Sequence, residues 1–190
     1  MEFSEKQEIK MIIKESICIK KKLDINVISD IAKKIISMYQ NGGKLLIAGN
    51  GGSASDAQHF SGELMAKFSE ERKPLPAIAL HCDTSSLTAW SNDYSFHSFY
   101  ERAVDGLGKI GDIFFAISTS GNSKNIINAA IMSKKKGLYV IGLLGKNGGE
   151  LKNYCDLFLT VPSNQTPRIQ ESHILVIHII CQLIDNAFTK

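Results

Sequence analysis

Apolar residues in this chain fall into two alternating patterns. Short, mainly apolar runs at 45–48, 77–80, 112–117, 139–144 and 157–161 are each followed by Gly, His, Ser or Pro. Runs of that length read as strands covered on both faces. Between them, apolar positions recur every three or four residues, as on one face of a helix. Ile9, Ile12, Ile13, Ile17 and Ile19 predict an amphipathic helix over about 4–22. Val27, Ile28, Ile31, Ile35 and Ile36 predict a second over about 26–40, stopped by Asn41-Gly42-Gly43. Further helices are expected from Ser53 or Ser55 onward, at 87–91, 96–104 and 124–136, and from Thr166 or Pro167 to about Ala187. A charged, proline-containing connection fills 70–76, and Asn92-Asp93 reads as a turn. Strands alternating with helices predict an α/β fold of three layers, a parallel sheet with helices on both faces. In such a sheet the ligand sits outside the carboxyl ends of the strands. The first two helices precede the first strand, so they form an extension over about 1–42, and the first is expected to pack on a partner subunit.

With 190 residues and 44% apolar content, the chain suits one domain, 1–190, with a substantial core. A net charge of +3 is too mild to point to nucleic acid. Its basic clusters, Lys20 to Lys22 and Lys134 to Lys136, sit at expected helix ends, where cations complement the dipole. Cys18, Cys82, Cys155 and Cys181 show no CxxC spacing and read as reduced thiols. The first residues lack the apolar core of a signal peptide, and no run is long enough to span a bilayer. The expectation is a soluble, cytoplasmic protein with no membrane partner.

Candidate chemistry begins where the first strand ends. Gly49-Asn50-Gly51-Gly52-Ser53 is a turn whose glycines admit positive φ and leave N–H groups uncovered, and Ser53 or Ser55 is expected to cap the helix that follows. A helix start of this kind favours anions. Further along the same helix, His59 and Glu63 are four residues apart, about 40° in rotation and about 6 Å along the axis, so both leave one face. Either a metal, a substrate or plain solvent fits that pair. A second loop, Ser118-Thr119-Ser120-Gly121-Asn122-Ser123, offers hydroxyls and N–H groups without an acid and suits a phosphate. Neither loop has the GxxxxGK[ST] or GxGxxG pattern of nucleotide sites. In the last helix, Gln170, His173 and His178 stand among Ile169, Ile174, Leu175, Val176, Ile177, Ile179 and Ile180. Gln170 and His178 differ by about 80° and can share a site, whereas the two histidines, about 140° apart, point elsewhere.

Together, Gly49-Asn50-Gly51-Gly52-Ser53, Asp56-Ala57-Gln58-His59-Phe60, Asn92-Asp93, Ser118 to Ser123 and Arg168-Ile169-Gln170-Glu171-Ser172-His173 resemble the phosphoheptose (sedoheptulose 7-phosphate) isomerases, which are single SIS domains. The resemblance runs through nearly the whole chain in the same order. It implies a flavodoxin-like five-stranded sheet of order 2-1-3-4-5 and a homotetramer with sites between subunits. It also implies one Zn2+ per subunit on His59, Glu63, Gln170 and His178. The implied reaction converts sedoheptulose 7-phosphate to D-glycero-D-manno-heptose 7-phosphate through an enediol, the first step of nucleotide-activated heptose synthesis. Glu63 would be the base and His178 the partner acid. Asn50, Gly51, Gly52, Ser53, Glu63, Asn92, Asp93 and Gln170 would meet the sugar, and Ser118, Thr119, Ser120 and Ser123 its phosphate.

Two positions depart from the family pattern. Ser91 stands where Gly commonly precedes Asn-Asp, and Lys67 replaces an arginine, keeping the charge but not the bidentate fork. Two other functions share the scaffold. Replication-initiator-associating SIS proteins have similar loops and bind a partner without catalysis, but they lack the acid at Glu63 and the imidazole at His178, both of which are retained here. An isomerase of another phosphosugar is the remaining alternative.

Overall fold

The computed structural model describes residues 4–189. Two helices, α1 (Glu5–Lys20) and α2 (Ile25–Gln40), precede the first strand, β1 (Leu45–Ala48). Then follow α3 (Gly52–Met65), β2 (Ala77–Ala79), α4 (Thr84–Asp93), α5 (Phe96–Leu107), β3 (Ile113–Ser118), α6 (Lys124–Lys135), β4 (Tyr139–Gly145), β5 (Leu157–Val161) and α7 (Thr166–Phe188). A 3₁₀ turn, Leu151–Tyr154, separates β4 from β5. All strands are parallel, in the order β2-β1-β3-β4-β5.

Side-chain alternation explains why the strands are continuously apolar. Leu45, Ile47, Ile113, Phe115 and Ile117 enter a core built with α2, α3 and α7. Their neighbours Leu46, Ala48, Phe114 and Ala116 enter a second core built with α5 and α6. Every position in β1 and β3 is therefore buried, and the run carries no polar interruption until it reaches the carboxyl edge. The order 2-1-3 makes the chain leave β1 toward one side and β3 toward the other. The resulting crevice between the two loops is where such sheets take ligands.

Two expectations change at the local level. The segment 84–93 is one helix, not a short helix followed by an Asn92-Asp93 turn. Asp83 caps it by accepting from the Ser86 N–H, and Thr88 returns its hydroxyl to the Thr84 carbonyl, so the hydroxyl-rich stretch that reads as loop is absorbed by helix. Helix α5 also runs three residues beyond its expected end, to Leu107. On α1, Ile9, Ile13 and Ile17 form a stripe at least half exposed. Among the described residues no helix is long and apolar enough to cross a membrane, and all four cysteines are free.

Candidate active site

The loop after β1 turns on Gly51, whose φ of 56° and ψ of −124° place it at the N-cap of α3. That conformation belongs to glycine, so the cap is backbone rather than the expected serine. Ser53 lies buried inside the first turn and Ser55 is exposed on the next. The Tyr100 hydroxyl donates to the Gly49 carbonyl at 2.6 Å and holds the loop from beneath.

After β3, the second loop folds on its own hydroxyls. Ser118 Oγ accepts from the Gly121 N–H at 3.1 Å and lies 3.4 Å from Ser123 Oγ, and Ser120 Oγ accepts from the Asn122 N–H. Ser123 is the N-cap of α6 and makes no side-chain cap bond, so its hydroxyl remains at the loop. The two loops are tied together by a residue that the sequence did not single out. Asn125, buried in the first turn of α6, exchanges amide bonds with Asn50, each carboxamide donating to the other at 2.9 Å.

Farther along α3, side chains from two helices converge. His59 Nε2 lies 2.8 Å from Glu63 Oε1 and 3.1 Å from His178 Nε2 on α7. The ligand atoms of His59, Glu63 and His178 all fall within 4.8 Å of one another. A tetrahedral zinc with bonds of about 2.0–2.2 Å has ligand atoms about 3.3–3.6 Å apart, so the 2.8 and 3.1 Å spacings at His59 need open only slightly to take a metal. Two imidazole nitrogens and one carboxylate oxygen are also a donor set that such a metal accepts. One turn earlier, Asp56 Oδ2 is buried with no hydrogen-bond partner among the described residues. Burial pushes its carboxyl up to about 6 against the pull of His59.

Gln170 also contacts α3, at its other end. A Cβ on Gly52 would lie 2.4 Å from Gln170 Nε2, so the carboxamide rests directly on that glycine, about 10 Å of helix axis before His59. His173 turns toward the sheet instead. It is fully buried, its Nε2 lies 3.0 Å from the Leu144 carbonyl, and burial pushes its pKa down to about 4. The separation of the two histidines expected from helical rotation is what the structure has. Asn92 and Asp93 are exposed in the last turn of α4 and bonded to each other at 2.8 Å. Lys67 is paired with Glu71 at 2.6 Å.

Known proteins are similar to this chain in sequence and fold. Residues 13–145 match the SIS domain family. The phosphoheptose isomerase of Sulfurimonas denitrificans is 49% identical over 185 residues, covering 95% of each chain. That of Aneurinibacillus thermoaerophilus is 50% identical over 178 residues, covering 94% of this chain and 89% of its own. The chain belongs to the phosphoheptose isomerase family of SIS-domain aldose–ketose isomerases. Solved structures agree. A phosphoheptose isomerase from Francisella tularensis superposes with a TM-score of 0.93 at 38% identity, over 97% of this chain and 100% of that one. One from Neisseria gonorrhoeae gives 0.90 at 38% identity, over 96% and 100%.

For this family member, Gly52 offers a direct test of Gln170. In Gly52→Ala the new methyl must displace the carboxamide, which is the mobile end of a long side chain, so the fold should survive. If the carboxamide contacts substrate, KM should rise about three- to tenfold, the worth of one neutral hydrogen bond. Steady-state kinetics check this, and a parallel metal titration reads any ligand role.

Proposed function

We propose that the chain converts sedoheptulose 7-phosphate to D-glycero-D-manno-heptose 7-phosphate, the first step of nucleotide-activated heptose synthesis. The observation that carries this reading is the meeting of Glu63 and His178 with His59 at one place, although 115 residues separate the first two in sequence. Moving a carbonyl from C2 to C1 requires a proton to leave C1 and one to arrive at C2, with an enediol between. Glu63 serves as the base and His178 as the acid, each contributing about 10²–10⁴ in rate when well placed. A carboxylate has two oxygens, so holding a metal and accepting a proton are compatible roles for Glu63.

His59, Glu63 and His178 would hold one Zn2+ per subunit; Gln170, the fourth ligand that the family likeness implies, rests on Gly52 about 10 Å of helix axis from His59, so within one subunit it is placed for the sugar rather than for that metal. Bound there, zinc supplies Lewis acidity to the carbonyl oxygen. Asn50, Gly51, Gly52, Ser53, Asn92, Asp93 and Gln170 bind the polyol, and Ser118, Thr119, Ser120 and Ser123 take the phosphate at the start of α6. The family likeness implies a homotetramer with sites at subunit interfaces, and the exposed stripe of Ile9, Ile13 and Ile17 offers an apolar face for a subunit contact.

The deciding experiment incubates purified protein with sedoheptulose 7-phosphate and follows the aldose anomeric protons by NMR. Appearance of those signals, and their loss on chelation, is expected. Their absence from the zinc-loaded protein rejects the proposed reaction. His178→Ala should lower both metal content and rate, and normal zinc stoichiometry in that variant would remove His178 from the ligand set.

A further inference from the structure

Behind the His59, Glu63 and His178 cluster lies an ion pair that none of the proposed chemistry uses. Arg72 and Asp185 have fully buried side chains, and Arg72 Nε donates to Asp185 Oδ1 at 2.6 Å. The rest of the guanidinium reaches into the last turn of α3. Nη2 donates to the Glu63 carbonyl at 2.7 Å, and Nη1 donates to the Leu64 carbonyl at 2.8 Å and to that of Lys73 at 3.2 Å. The other carboxylate oxygen of Asp185 accepts from the N–H groups of Ser69, at 2.9 Å, and Glu70, at 3.2 Å, and from the Ser69 hydroxyl. Burial raises the Asp185 pKa, but these donors outweigh it and hold the carboxyl below its ordinary value.

The placement of the pair gives it a role beyond packing. Glu63 and Leu64 lie in the final turn of α3, where carbonyls lack partners within the helix. A cation at that end is also favoured by the helix dipole. Asp185 lies seven residues, or two turns, after His178, on nearly the same face of α7. The pair therefore joins the carboxyl end of the helix bearing His59 and Glu63 to the helix bearing His178. Replacing a buried ion pair by apolar packing is commonly neutral for stability, so its distinctive contribution is fixed register.

We propose that Arg72 and Asp185 are positioning residues that set α3 against α7, and so place the Glu63 carboxylate beside the His59 and His178 rings. This rests on the metal-dependent isomerase reading above, and it is tested by a readout that does not need turnover. In the full chain, Co2+ affinity is measured by competition with a chromophoric chelator, together with the visible cobalt spectrum, for wild type, Arg72→Lys and Asp185→Asn. Lys44→Met is the control, because it breaks a largely buried pair with Asp112 whose hydrogen bonds join the residues before β1 and β3 and do not involve α3 or α7.

Arg72→Lys keeps the charge and loses the fork. Both site-side variants should lose about tenfold or more in cobalt affinity, with a shifted spectrum. In the zinc enzymes, kcat should fall while KM stays within about twofold. The double variant should be little worse than either single one, as for residues acting as one unit. Lys44→Met should lower the melting temperature and leave cobalt binding unchanged. Should Arg72→Lys fail to fold, Asp185→Asn, which keeps its shape, reads the same point. Folded Arg72→Lys or Asp185→Asn protein with wild-type cobalt affinity and spectrum overturns the proposal. Wild-type protein that takes up cobalt on these residues but does not isomerise sedoheptulose 7-phosphate rejects the proposed reaction alone. Wild-type protein that binds no cobalt rejects both.

Discussion

Glu63→Gln should leave a folded protein whose turnover of sedoheptulose 7-phosphate is reduced about 10²–10⁴-fold. The substitution is nearly isosteric and the side chain is partly exposed, so packing changes little. What disappears is the charge that pairs with His59 at 2.8 Å and the oxygen able to accept a proton. Metal content measured on the same sample divides the two roles. Retained zinc with lost rate assigns Glu63 to proton transfer, and lost zinc with lost rate assigns it to the metal. Turnover equal to wild type would exclude it from both.

The second large effect should come from a residue that touches no substrate. Gly121 has φ of +66°, and a Cβ there would lie 1.9 Å from the Gly148 carbonyl oxygen, which is backbone and cannot swing aside. Gly149, at φ of +58°, would in turn meet the backbone of Ser120 and Gly121. The loop at 118–123 is thus seated on the loop after β4, and the Gly121 carbonyl accepts from the Leu151 N–H at 2.8 Å. Gly121→Ala adds about 1–2 kcal/mol for the left-handed backbone alone, and the clash must then be relieved by moving one loop. A lower melting temperature together with a KM at least tenfold higher is expected, the latter reflecting loss of about one charge-assisted bond to phosphate. A variant with wild-type KM would show that this loop does not hold the phosphate.

The sheet was legible because both of its faces are covered. Leu45-Leu46-Ile47-Ala48 and the run to Ile117 carry apolar residues at every position, which no half-exposed strand would do. Helix starts were read less well. Gly51 caps α3 through a positive φ that no sequence rule separates from an ordinary glycine turn, and Asp83 opens α4 ahead of a Thr-Ser-Ser stretch that resembles loop. For the site, His59 and Glu63 came from i,i+4 spacing, but their union with His178 was available only through the family resemblance, because 119 residues separate the two imidazoles. Asn125 and Arg72 escaped for the same reason. Asn125 finds its partner 75 residues away, and Arg72 stands in a charged stretch that reads as solvated until the fold buries it against Asp185.

The reciprocal amides of Asn50 and Asn125 bear on how this crevice greets a ligand. Each carboxamide donates to and accepts from the other, so the turn after β1 and the first turn of α6 are held as one unit when the chain folds, while Asn50 keeps an N–H free for a ligand. Most of the entropy of ordering these loops is then spent during folding and is not deducted again when a sugar phosphate arrives. Affinity here should accordingly follow the contacts themselves, with little penalty for organising the receptor.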